Sequence, residues 1–320
     1  MVTARRISFS INQGLEHVTR DDLVGAARDA ESRGFATFTV ADHFNTPMAP
    51  FTALTITAEA TTNLRVAPYV LDNDFRHPSI TVREVATIDE LTAGRFDFGI
   101  GAGWKQPEYA EAGFTFDRPG VRIARLEEAL EICDLAFTGE PVHFSGDFYS
   151  LAGLVCRPMP HQKPRPPVMI GGGSPKILGL AGRRADIVSV AVKATLQGRI
   201  DGGDVTVAAT ERKLGWIRDA AGDRYDNIRF NAPLMDAVVG HDRRALAQTA
   251  LDEIKTDKGF LAYTAELTVD DLLESPYFLF GTVADIVEHL HACRERFGLT
   301  SWSLLGRTTA DITPVIEALG

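Results

Sequence analysis

The 320-residue chain has few cysteines, no long apolar run and no surplus of positive charge. Its three cysteines, Cys133, Cys156 and Cys293, are odd in number, far apart and in no CxxC pair. That spacing argues against both a disulfide framework and a zinc site, and a reducing cytoplasm fits it. No run of 18 apolar residues occurs, so no membrane span is expected. The first residues, MVTARRISFSI, contain no apolar stretch of signal-peptide length. Net charge is −10, from 33 basic and 43 acidic residues. This balance disfavours nucleic acid and anionic membrane as partners, although a local cluster of amides can still hold a small anion. HExxH, GxSxG and Walker-type loops are absent, and no metal is expected. Hydrophobic residues make up 45% and charged residues 24%, enough apolar material for a sizeable core.

What is present is an alternation of strand and helix patterns. Residues 5–12 (RRISFSIN), 37–43 (TFTVADH), 64–71 (LRVAPYVL), 95–101 (RFDFGIG), 166–173 (PPVMIGGG), 186–192 (DIVSVAV), 228–235 (IRFNAPLM) and 301–306 (SWSLLG) read as eight strands. They are continuous apolar runs, as in a parallel sheet covered on its outer face by helices. Between them lie helical patterns with start and stop signals. In TRDDLVGAARDAESRG (19–34), Thr19 precedes acids in the first turn and Gly34 ends the pattern. SPKILGLAGRR (174–184) has Ser174 at the N-cap position followed by proline. Eight such units predict an α/β fold, a (β/α)8 TIM barrel forming one domain over 1–320, with a doubly wound sheet as the alternative. Three segments exceed the minimal barrel: about 104–120, 138–166 and 255–279. GEPVHFSGDFYSL, in the second, reads as a β-hairpin around Ser145 and Gly146.

In a barrel the active site lies at the carboxyl ends of the strands. These positions gather polar and glycine residues: Asn12 and Gln13; Asp42 and His43; Tyr69, Val70, Asp72 and Asn73; Gly101, Gly103 and Trp104; Gly171, Gly172, Gly173 and Ser174; Lys193; Met235 and Asp236. His43 is the candidate acid/base, because imidazole titrates near neutrality. Asp42 either serves the chemistry beside it or bonds loop amides. GIGAGW (99–104) and GGGSP (171–175) place glycines where backbone amides could approach a ligand, and the helix opening after Gly173 favours an anion. GIGAG lacks the third glycine of the dinucleotide fingerprint. Isolated, either motif also reads as a tight turn. His77, before a proline and a helix, reads as a cap.

VADHF (40–44), LRVAPYVLDNDFRHP (64–78), DELTAGRFDFGIGAGW (89–104), MIGGGSPKILGLAGRRADIV (169–188) and FGTVADIVEHLHACRERFGLTSW (280–302) occur together along nearly the whole chain. In combination they resemble the luciferase-like flavin and deazaflavin oxidoreductases, and within these the actinobacterial branch that uses coenzyme F420. The resemblance implies a barrel with the cofactor at its carboxyl-terminal rim and hydride transfer between the deazaflavin C5 and a small-molecule substrate. It puts His43 and Asp42 beside the reactive ring, and a non-proline cis peptide at Tyr69–Val70 under it. It assigns Gly103, Trp104 and Pro107 to the loop after the fourth strand, and Gly171, Gly172, Gly173 and Ser174 to a phosphate loop. A homodimer is implied by the same analogy. The alternative within the fold is an FMN-dependent monooxygenase fed with reduced flavin by a partner reductase. Sugar-phosphate dehydrogenases of this group carry glutamate where Trp104 stands and tryptophan where Pro47 stands, so this chain departs from them at both positions.

Overall fold

The structure is a computed structural model and describes residues 6–12, 19–46, 48–194, 200–256, 261–262, 266–305 and 311–320. In chain order the elements are β1 (Ser8–Asn12), α1 (Arg20–Ser32), β2 (Thr37–Val40), α2 (Pro50–Glu59), β3 (Arg65–Pro68), β4 (Leu71–Asp72), α3 (Pro78–Leu91), β5 (Phe98–Gly101), α4 (Gln106–Ala112), α5 (Pro119–Ala136), β6 (Val142–Ser145) and β7 (Ser150–Leu154). They continue as β8 (Val168–Gly172), α6 (Pro175–Arg184), β9 (Ile187–Val190), β10 (Ile200–Asp201), α7 (Val207–Ala221), β11 (Arg229–Leu234), β12 (Asp236–Val239), α8 (Arg243–Thr256), β13 (Leu261–Ala262), α9 (Val269–Glu274), β14 (Phe278–Gly281), α10 (Val283–Phe297), β15 (Leu299–Leu304) and α11 (Thr313–Ala318).

Nine strands form one parallel sheet in the order β3-β2-β1-β15-β11-β9-β8-β5-β4. The strands β3 and β4 are two halves of the third strand expected from the sequence. One half pairs with β2 and the other with β5, and a bridge between Val66 and Phe96 brings the two edges together. The sheet therefore curls into a barrel of eight strand positions. The peptide bond between Tyr69 and Val70, at the break, is cis. The barrel leaves the doubly wound alternative without support, because a doubly wound sheet has two free edges.

Local chemistry sets the element boundaries. Thr19 and Asp22 form a reciprocal capping box on α1, Thr268 and Asp271 on α9, and Thr282 and Asp285 on α10. His77 caps α3 by accepting from the Ser79 amide. The expected hairpin is present as β6 and β7, and Glu128 of α5 fixes its turn by accepting the amides of Asp147, Phe148 and Tyr149 at 2.7, 3.0 and 3.2 Å. The strand β14, which starts at the end of the third expected insertion, pairs with β12 just beyond β11. Buried apolar residues make one continuous cluster. Trp302 of β15 is fully buried and gives its indole N–H to the Pro276 carbonyl at 3.0 Å. All three cysteines are buried and free. Among the described residues no helix is long and apolar enough to cross a membrane, and no group of ligating side chains could hold a metal.

Candidate active site

His43 lies in the turn that follows β2. Its carbonyl accepts from the Thr46 amide at 3.1 Å and from the Thr46 hydroxyl at 2.6 Å, which fixes the backbone. The imidazole Nδ1 lies 2.7 Å from Oε2 of Glu108. Glu108 is on α4 and is only 3% exposed. Its other oxygen accepts from Nζ of Lys105 at 2.7 Å. With its amide turned so that nitrogen faces the carboxylate, Asn45 donates to the same oxygen at 3.0 Å and accepts from Lys105 at 3.2 Å. The edge of Trp104 closes the other side of the ring, with centroids 5.9 Å apart and planes at 75°. Sequence reasoning missed Glu108. The signal was there in Lys105-Gln106-Pro107-Glu108: proline and an acid in a first turn open a helix, here α4.

Asp42 points away from His43. Both of its oxygens are engaged by the Arg76 guanidinium, and one also accepts the Asp72 amide at 3.0 Å. It therefore ties the end of the second strand to the third. The carboxylate that bonds His43 is Glu108 and not Asp42, because successive residues leaving an extended strand face opposite ways. Behind this pair, Tyr109 donates its hydroxyl to Asp72 at 2.7–2.8 Å, and the Asp74 amide donates to it at 2.9 Å. Burial raises the Asp72 carboxyl to about 7. Asp74 is held in turn by Arg125 at 2.9 Å.

The glycine loops divide by what makes glycine necessary. A Cβ on Gly103, whose φ is +72°, would fall 1.8 Å from the Tyr109 hydroxyl and 2.5 Å from the Asp72 carboxylate. One on Gly101 would meet a methyl of Val70 at 2.9 Å. The GIGAG glycines thus make room for the protein's own side chains. Gly172 and Gly173 are crowded the same way, by Ile177 at 2.3 Å and by the Lys193 backbone nitrogen at 2.6 Å. Gly171 differs: a Cβ there would touch nothing nearer than Cβ of Ser189 at 3.5 Å, an ordinary contact. Of the three glycines in this loop, it alone could carry a side-chain carbon without displacing a neighbour.

Ser174 is the N-cap of α6, yet its hydroxyl makes no capping bond. Pro175 has no N–H, so the free first-turn donors are the Lys176 and Ile177 amides, which have no intrahelical acceptor. An uncapped helix end fits a phosphate or carboxylate. The start of the loop after β9 is anchored. The Lys193 amide donates to Asp204 at 2.8 Å, and Asp204 forms an ion pair at 2.6 Å with Lys213, which is fully buried.

Inside the barrel, the Tyr69 hydroxyl bonds Ser189 at 2.6 Å and Asn231 at 3.1 Å, and burial pushes its ionisation to higher pH. Val70 packs over Gly99 and Gly101. Pro107 is in the exposed first turn of α4. Asp236 accepts only the Ala237 amide among the described residues, and Gln13 and Pro47 lie outside those residues. The sheet order places the ends of β2, the third strand, β5 and β8 consecutively around the rim. His43, Tyr69–Val70, Trp104 and Gly171–Ser174 therefore follow one another along it.

The profile of the luciferase-like monooxygenase family matches residues 6–301. A protein of Gordonia bronchialis named F420-dependent glucose-6-phosphate dehydrogenase is 31% identical over 57% of this chain, and that match spans little more than half (56%) of the relative's length. A protein of the same name from Amycolatopsis mediterranei is 29% identical over 93% of this chain and 95% of the relative. Among solved structures, the coenzyme F420-dependent tetrahydromethanopterin reductase of Methanopyrus kandleri superposes with a TM-score of 0.74 at 20% identity, covering 98% of this chain and 96% of that one.

Proposed function

The chain belongs to the luciferase-like monooxygenase family, and we propose that within it the chain is a coenzyme F420-dependent oxidoreductase acting on a small organic substrate. One placement carries this: an imidazole at the end of β2 and an uncapped helix end beside Gly171 at the end of β8 share one rim. The relatives named for coenzyme F420 support the choice of cofactor.

Coenzyme F420, when bound, supplies a hydride donor or acceptor at C5 of its deazaflavin ring. The residues present fit such a group. The amides of Lys176 and Ile177 would take its phosphate. Tyr69 and Val70, pinned by Ser189 and by the glycines of β5, would form a rigid back to the ring site. His43 holds or accepts the proton that accompanies hydride transfer at a substrate oxygen or nitrogen. Trp104 gives the imidazole an apolar neighbour where sugar-phosphate dehydrogenases have an acid, so glucose 6-phosphate is not the proposed substrate.

Fluorescence titration of the purified chain with oxidised coenzyme F420, and separately with FMN, tests this. Binding of the deazaflavin at micromolar concentration or below, roughly 8 kcal/mol or more, is expected, with FMN at least about tenfold weaker. A preference for FMN, accompanied by oxygen consumption with reduced flavin, would overturn it in favour of a monooxygenase.

A further inference from the structure

We propose that Glu108 is the positioning residue for proton transfer at His43, and that Lys105 moderates its charge. The claim about the ring rests on geometry alone; its use in catalysis rests on the functional reading above. An ionised carboxylate offers only acceptors, so the proton in the 2.7 Å contact between Nδ1 and Oε2 sits on Nδ1. Neutral His43 must then carry its lone pair on Nε2, the nitrogen with no partner among the described residues. Nε2 is the atom that takes a proton from a substrate hydroxyl, or returns one to a substrate oxygen in the reverse direction. Nδ1–H stays bonded to Glu108 throughout.

Among the described residues, two charged groups stand in the bonded chain at the ring. From α4 and the residue before it come Glu108 and Lys105. Asp42, next in the chain, points away from the ring and is paired with Arg76. Trp104 and Asn45 complete the surround without charge. Glu108 thus sits between a proton carrier and a fixed cation. Anchoring α4 does not require this contact, since the next residue, Tyr109, ties the helix to Asp72 and packs on Phe75 with ring centroids 5.1 Å apart. Two successive residues divide the work, one holding the helix and the other holding the imidazole.

The test is nitrogen NMR of the full-length chain labelled with 15N-histidine. His43→Asn identifies the His43 signals among the eight histidines. The parent protein should show neutral His43 protonated on Nδ1. Glu108→Met, which removes the acceptor, should shift the ring towards the Nε2–H form that free imidazole side chains favour. Glu108→Gln keeps an acceptor and should retain the Nδ1–H form. On any substrate accepted with coenzyme F420, Glu108→Gln should lower kcat by about 10- to 100-fold while KM stays within about threefold. It should also move the acidic limb of the pH–rate profile to lower pH, whereas Lys105→Met should move that limb to higher pH. A parent His43 protonated on Nε2, or a tautomer unchanged in Glu108→Met, would overturn the inference even with coenzyme binding intact. Failure to bind coenzyme F420, with the tautomer as expected, would sink the functional reading alone.

Discussion

Asp72 shows how far a single residue is governed by what folds over it. In sequence it is one acid among three charged residues in DNDFR. In the structure it is 9% exposed, bonded by the Tyr109 hydroxyl and the Asp74 amide, with Asp74 and Asp42 nearby. Burial comes first among the causes that push its carboxyl to about 7 from the ordinary 3.8. Between those pH values the native chain keeps a proton that the unfolded chain has released. The favourable contribution is therefore complete below about pH 4 and is lost as pH rises through 7. Asp72→Asn should abolish this dependence. Urea midpoints of the two proteins should diverge between pH 4 and 8, the parent losing on the order of a few kcal/mol relative to the variant. Parallel curves would refute the assignment. His43 was legible at this scale, because a histidine at a strand end in a β/α pattern is a recognisable acid/base candidate. Its partner was not, because Glu108 is 65 residues away and the contact exists only once α4 has packed.

At the scale of elements, the two glycine loops looked alike and turned out different. In GIGAG the absent side chains make room for Val70, Tyr109 and Asp72; in GGGSP Gly172 and Gly173 make room for Ile177 and Lys193, leaving only Gly171 uncrowded. Opposite effects of one methyl group follow. Gly173→Ala would drive a Cβ to within 2.6–2.8 Å of backbone atoms of Lys193 and Ala191. It should destabilise the protein by roughly 2 kcal/mol or more. Gly171→Ala should leave the melting temperature nearly unchanged, within about 0.5 kcal/mol. It should still weaken coenzyme F420 binding on the order of tenfold, about 1.4 kcal/mol, by filling the approach to the α6 amides. Equal losses of stability in both would contradict the division. Most element boundaries were readable from caps and glycines. The helix α4 was not, since seven residues are too few to display a helical period. Ser174 was placed correctly as N-cap, but its sequence cannot say whether the hydroxyl caps the helix or leaves it open.

Across the whole molecule, the proposed cofactor spans residues from His43 to the first turn of α6, which lie more than a hundred positions apart in the chain but on one rim. Occupancy should therefore tie separate parts of the barrel together. A ligand at a hundred times its Kd should add about 2.7 kcal/mol of stability. Melting temperature should rise with the logarithm of coenzyme F420 concentration, and FMN at equal concentration should raise it less. No shift at saturating coenzyme would count against the site. The alternation of eight apolar strand patterns with capped helices, the hairpin and the polar rim were all determined by the sequence alone, because periodicity, caps and turn residues act over a few neighbours. Closure of the barrel across a divided third strand, the pairing of β12 with β14, and the choice of Glu108 over Asp42 as partner of His43 were decided by tertiary structure. Each depends on the distance and burial of groups remote in sequence, and local pattern carries no information about either.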